Sequence, residues 1–192
     1  MQMGGGMDDI DPVSDEYMQQ VRLEPLIPHN GTITLVESDP NWPVLFDREA
    51  VRVRGALGPA VVQLEHVGST SVPGLVAKPI IDILLVVRDS ADEASYVPAL
   101  AAVGYRLVIR EPDWLEHRLF KGPDADINMH VFSAGEDEVD RMLRFRDWLR
   151  TDAGDRELYA RTKRRLAQQQ WRHVQHYAQA KSEVVEQILQ RA

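Results

Sequence analysis

Gly68-Ser69-Thr70-Ser71 is followed by Lys78 and Asp82, and these residues together could hold a phosphorylated ligand. Glycine lets backbone N–H groups turn inward, and the three hydroxyls add donors. The loop from Gly68 to Gly74 can therefore curl around a phosphate. Lys78 brings a charge of the matching sign. Asp82 sits in the apolar run Ile80-Ile81-Asp82-Ile83-Leu84. A carboxylate there is costly unless it is paired or binds a cation. Hard oxygen ligands suit Mg²⁺ or Mn²⁺, with phosphate oxygens completing the shell. Without the acid, the loop reads more readily as a tight connection between strands. Asp82 itself has a structural alternative, a buried carboxylate bonded to backbone N–H groups.

Other residues join this set with their own alternatives. Glu65, on the strand before the loop, could add a second metal-binding acid. His66, His117 and His130 fall on predicted strands, and with Asp82 they could form a mononuclear transition-metal site. One of them could act as a general base, or each could be a packed, half-buried histidine. Arg118 could grip a phosphate bidentately or stand as a surface charge. Lys181 shares a helix face with Tyr177, Val184, Val185 and Ile188. It either reaches an anion in a cleft or snorkels past its apolar neighbours. Arg161, Lys163, Arg164 and Arg165 read as a solvated helix face, with a landing patch for phosphates or RNA as the functional alternative.

The elements that must position these residues form an α+β, or mixed α/β, pattern. Residues 1–16 hold three glycines and five acids with no Lys or Arg, and read as a disordered acidic leader. Residues 17–192 read as a single domain, with a sheet core over 33–135 and a helical tail over 136–192. Strands are expected at 32–36, 61–67, 80–87, 105–110, 114–121 and 127–132. Helices are expected at 17–27, from Ser38-Asp39-Pro40 to Gly58-Pro59, and at 91–103, 136–150, 155–170 and 172–190. The strand at 80–87 is nearly all apolar, as an interior strand covered on both faces requires.

Composition narrows the function classes. There is no cysteine, which excludes disulfides, thiolate metal sites and a Cys nucleophile. No apolar run reaches the roughly 18 residues of a membrane span. The N-terminus lacks a positive region followed by an apolar one, so a cytoplasmic location is expected. Net charge is −8, yet residues 140–192 carry 12 basic and 7 acidic groups. The basic part could face an anionic ligand or simply pack against the acidic body, and a pI near 5.2 argues against long nucleic acid.

The stretch His66-Val67-Gly68-Ser69-Thr70-Ser71-Val72-Pro73-Gly74-Leu75, with Lys78-Pro79-Ile80-Ile81-Asp82-Ile83, closely resembles the GrpB family. That family belongs to the nucleotidyltransferase superfamily of the polymerase-β-like kind. Asp39-Pro40-Asn41-Trp42-Pro43, His117-Arg118-Leu119-Phe120, Asn128-Met129-His130-Val131-Phe132, Phe145-Arg146-Asp147-Trp148-Leu149-Arg150 and Tyr177-Ala178-Gln179-Ala180-Lys181-Ser182 extend the likeness over residues 33–190. It implies a nucleotidyltransferase-like mixed sheet and transfer of a nucleotidyl group from a nucleoside triphosphate to a small-molecule acceptor. Gly68, Ser69, Thr70 and Lys78 would hold the triphosphate and Asp82 the divalent metal. His117, Arg118, His130 and Lys181 would line the acceptor side. The superfamily places a second carboxylate two residues after the first, and a third on a later strand. Here the second position is Leu84, and the later strand offers Asp126, Asn128 and His130. Binding of a nucleotide or another anionic metabolite without transfer is the alternative.

Overall fold

The computed structural model describes residues 13–192. Five strands form one sheet: β1 (Gln63–Val67), β2 (Ile81–Val87), β3 (Arg106–Glu111), β4 (His117–Lys121) and β5 (Ile127–Ser133). Their spatial order is β1-β2-β5-β4-β3. Only β2 and β5 run parallel; the other neighbours are antiparallel. The parallel pair needs a crossover. A 3-10 turn (Glu93–Ser95), helix α3 (Val97–Ala102) and the β3–β4 hairpin supply it. The sheet is thus mixed, and the α+β expectation holds.

Alternation along the strands sets two faces. One face carries Leu64, Ile81, Ile83, Leu85, Met129, Val131 and Phe120, packed on Val53 and Leu57 of α2 (Trp42–Leu57) and on Leu100 of α3. Ile83 and Leu85 are fully buried, each adding roughly 1.5–3 kcal/mol. The other face presents Val67, Leu84, Val86 and Phe132 to α4 (Asp137–Thr151). Three further helices follow: α5 (Ala153–Ala167), α6 (Val174–Gln179) and α7 (Ser182–Leu189).

Several elements depart from expectation. The 32–36 stretch is extended but is not a strand. It makes isolated bridges, Gly31 to Trp171 and Val36 to Ala77, and Ile33 N–H donates to the carbonyl of Ala167. Its β-branched residues favour extension, yet no strand lies beside it to complete a ladder. The helix expected over 91–103 shrinks to α3, because Pro98 is tolerated only in a first turn. The helix expected over 172–190 breaks between α6 and α7. The break lets Tyr177 pack on Ile33 and Leu166, while Val184 and Ile188 pack against Leu75 and Tyr159. Residues 1–12 of the expected leader lie outside the described residues. Its end is helical: Ser14 caps α1 (Asp15–Val21), its side chain accepting from the Tyr17 N–H.

Candidate functional site

Asp82 faces the side of the sheet covered by the C-terminal helices. Its neighbour in register on β5 is Asn128, whose partner on β4 is Lys121. The Asn128 amide donates to Asp82 Oδ1 at 3.0 Å, and Lys121 Nζ donates to Asn128 Oδ1 at 2.7 Å. Gly68 lies against the other carboxylate oxygen. A Cβ at position 68 would stand 2.4 Å from Asp82 Oδ2, so the chain approaches Asp82 this closely only because the residue is glycine.

Three lysines converge on this acid. A small pocket is lined by Ser69, Thr70, Lys78, Asp82, Lys163, Tyr177 and Lys181. Lys163, on α5, is only 2% exposed. It donates to Ser69 Oγ at 2.9 Å and to the Val76 carbonyl, and it sits over the Tyr159 ring. Burial, then Lys181 and Arg164, push its amine down to about 6. Burial and Lys181 also lower Lys78, against the pull of Asp82. Burial lowers Lys181, again opposed by Asp82. Burial pushes the Asp82 carboxyl up, against the Asn128 hydrogen bond and the lysines. Lys181 Nζ lies 4.7 Å from the centre of the Tyr177 ring. Tyr177 is 1% exposed, and its hydroxyl has no hydrogen-bond partner. A buried donor left open on a residue that lines the lysine pocket suits an incoming oxyanion.

The remaining expected residues lie elsewhere. Thr70 lines the pocket, but its hydroxyl already donates to the Ile80 carbonyl at 3.1 Å and meets His66 Nε2 at 3.0 Å. His66 points to the opposite face, stacked on Phe46 at 4.9 Å, and its imidazole is lowered to about 4 by burial, then by Arg150 and Arg146. Glu65 is held at 2.9 Å by Arg146 of α4. Arg118 also lies on the opposite face, where its guanidinium meets Glu93 at 2.6 Å and Glu116 at 3.1 Å. It is a buried structural arginine and does not reach the pocket. His117 and His130 share the Asp82 face but line no part of the lysine pocket. They form a relay instead: His117 Nδ1 donates to Glu111 at 2.6 Å, and its Nε2 meets His130 Nδ1 at 3.1 Å. Burial, His117 and Lys121 hold His130 down at about 3. The four-residue metal site of His66, His117, His130 and Asp82 is therefore not assembled. Among the described residues, no group of three His, Cys, Asp or Glu side chains could hold a metal ion.

A family model described as GrpB protein matches residues 32–191. The chain belongs to the GrpB family. It is 67% identical over 181 residues to a UPF0157 protein of Halalkalibacterium halodurans, covering 94% of this chain and 93% of that one. The crystal structure of GrpB from Enterococcus faecalis aligns at TM-score 0.69 and 27% identity, over 82% of this chain and 98% of that one. The Cid1 poly(U) polymerase with Mg 3'-dATP bound aligns at TM-score 0.42 and 11% identity, over 78% of this chain and 46% of that one.

In this GrpB chain the donor set does not fit a pair of divalent ions. Leu84, where a second acid would stand, is fully buried against Val86 and Phe132. Asn128 takes the place beside Asp82 on β5. One carboxylate among three lysines offers far weaker cation binding than a carboxylate pair. Sequence reasoning named Lys163 only within a basic helix face and Tyr177 only as a neighbour of Lys181, and assigned neither to the pocket. The signal for Lys163 was its spacing from Tyr159, Ala160, Leu166 and Ala167, which puts it on the buried face of α5.

Replacing Tyr177 by Phe removes the partnerless hydroxyl. Without ligand, Tyr177→Phe is expected to leave stability unchanged or raise it by about 1 kcal/mol. If the pocket takes an oxyanion, the same change should weaken binding of inorganic triphosphate by about tenfold. Thermal melts and titration calorimetry of the same sample measure both; a hydroxyl serving the core alone would move only the melt.

Proposed function

We propose that this GrpB protein binds a phosphate-bearing nucleotide or a similar polyanionic metabolite between Lys78, Lys163 and Lys181, with the Gly68-Ser69 loop beneath it. The observation that carries this reading is the gathering of Lys78, Lys163 and Lys181 around Asp82 in one pocket, whose lining also includes Tyr177 with its partnerless hydroxyl. In the ligand-free protein burial disfavours the charged form of all three lysines, Lys78 and Lys181 repel each other, and Asp82 offsets only part of this. A bound oxyanion supplies the missing negative charge, so the site is arranged for phosphate at a cost in its empty state. Asp82 then keeps the lysines in place.

Nucleotidyl transfer to a small-molecule acceptor is the second reading. The observation in its favour is the Gly68 loop packed on Asp82, the order and spacing that the superfamily uses. It would employ Mg²⁺ or Mn²⁺ at Asp82, whose single carboxylate is a poor match for a two-ion site. Pyrophosphate release from a nucleoside triphosphate in the presence of Mg²⁺ would establish transfer. No helix among the described residues is long and apolar enough to cross a membrane.

Titration with inorganic triphosphate, in EDTA and again in Mg²⁺, tests the first reading. Saturable binding in EDTA is expected, with Lys181→Met weakening it at least tenfold. Arg118→Met is the control from the other face. It should cost about 3 kcal/mol of stability by stripping a buried ion pair, while affinity stays within about twofold. Lack of binding in both media would refute the reading, as would equal losses in the two variants.

A further inference from the structure

The lysine pocket is small, with a volume near 60 Å³. That space takes a phosphate group and little more, since one water occupies about 30 Å³ of liquid. Any organic part of the ligand must lie outside it. Next to the pocket, and sharing Lys78, is a cleft of about 470 Å³. Ligand sites generally run from roughly 300 to 1,000 Å³.

The cleft has two unlike walls. Leu119 and Lys121 of β4 form its floor, and Arg22, Ile27 and Ile33 line its outer side. Arg22 Nε is buried without a hydrogen-bond partner, and no ion pair holds its guanidinium among the described residues. Ile27 is 80% exposed at the rim, an unusual place for a large apolar side chain unless something covers it. Arg22 and Ile27 precede the span of 32–191 that matches the family model. Arg22 and Ile27 of the outer wall are therefore contributed by sequence ahead of the matched family region, and Ile33 by the matched region itself.

We infer that this cleft receives the nucleoside of a nucleoside polyphosphate whose terminal phosphate lies among the lysines, and that Arg22 donates to the base or sugar. This inference rests on the anion-site reading above. Apolar side chains suit the faces of a heterocycle, and its edge oxygens and nitrogens can accept from Arg22 Nε and Lys121. The segment ahead of the family region then decides which organic body accompanies the phosphate.

The test titrates the native protein, Arg22→Lys and Leu119→Trp with inorganic triphosphate and with ATP, GTP, CTP and UTP. Arg22→Lys keeps the charge and removes the Nε donor; Leu119→Trp fills the floor. At least one nucleotide is expected to bind the native protein about tenfold more tightly than inorganic triphosphate. Both variants should erase that margin and leave inorganic triphosphate within about twofold of native. Melting curves confirm that the variants are folded, and Arg22→Lys decides alone if Leu119→Trp is not. If inorganic triphosphate binds but no nucleotide exceeds it, or the margin survives Arg22→Lys, the cleft assignment is overturned and the anion site stands. If inorganic triphosphate fails to bind at all, the anion site itself falls, and this inference with it.

Discussion

Affinity for inorganic triphosphate should fall by about tenfold for each pH unit above 6, measured as the difference between the native protein and Lys163→Met. The cause is the desolvated amine of Lys163, which titrates near 6 in the free protein. At pH 8 it is mostly neutral. A phosphate oxygen alongside favours the ammonium form, so the complex holds a proton that the free protein lacks. Raising the pH disfavours the state with more protons, and the affinity drops. The decline begins near pH 6 and ends where Lys163 titrates in the complex. Burial also lowers Lys78 and Lys181, but both are kept in Lys163→Met and drop out of the difference. Subtracting the Lys163→Met profile removes the titration of the phosphate itself. Calorimetry in buffers of different ionisation enthalpy counts the protons directly. Proton uptake near zero at pH 7–8, with parallel profiles for the two proteins, would remove Lys163 from the binding event.

Gly68→Ala is expected to cost at least about 3 kcal/mol and to abolish triphosphate binding. Gly68 has φ 68° and ψ −171°, a region closed to other residues, where strain alone is worth about 1–3 kcal/mol. The added methyl would also lie 2.4 Å from Asp82 Oδ2 and 2.9 Å from Asp82 Cβ. Asp82 belongs to an interior strand with neighbours in register on both sides, so it has little room to retreat. At roughly 2–4 °C per kcal/mol, the melting temperature should drop by about 6–12 °C. Gly58→Ala is the comparison. Gly58 has φ 51°, but a Cβ there meets nothing within 4 Å. Only the backbone cost of about 1–3 kcal/mol is expected there, without the clash. Equal melting temperatures for the two variants would show that contact with Asp82 is not what demands glycine at position 68.

The sequence carried much of this architecture because local patterns suffice for it. The apolar run around Asp82 marked an interior strand, and Lys181 was expected beside Tyr177, although the one helix behind that expectation is broken between α6 and α7. What was not legible depends on pairing between distant segments. Adjacent strand residues point to opposite faces, so His117 and Arg118 cannot both reach one site. Which of them faces Asp82 follows from the β4–β5 register, Arg118 opposite Val131 and Leu119 opposite His130, and no single strand encodes that. Lys163 was hidden for a different reason. Its neighbours Arg161, Arg164 and Arg165 are exposed, and their shared charge obscured the one lysine whose spacing points inward. The place beside Asp82 was likewise undecided until β2 paired with β5 and brought Asn128 forward.

That parallel pairing also bears on how the chain reaches its native state. Asp82 and Asn128 touch across a sequence separation of 46 residues. They can do so only after the intervening crossover has folded back across the sheet. Such non-local parallel contacts form slowly, because the entropy of closing the loop is lost before any contact compensates it. Lys163 and Lys181 come from still later in the chain. During synthesis the candidate site is therefore completed only once α5 and the segment leading into α7 have emerged. A nascent or truncated chain could hold β1 and β2 in place and still lack the site. Under the proposed anion-site reading, ligand uptake reports on the finished fold.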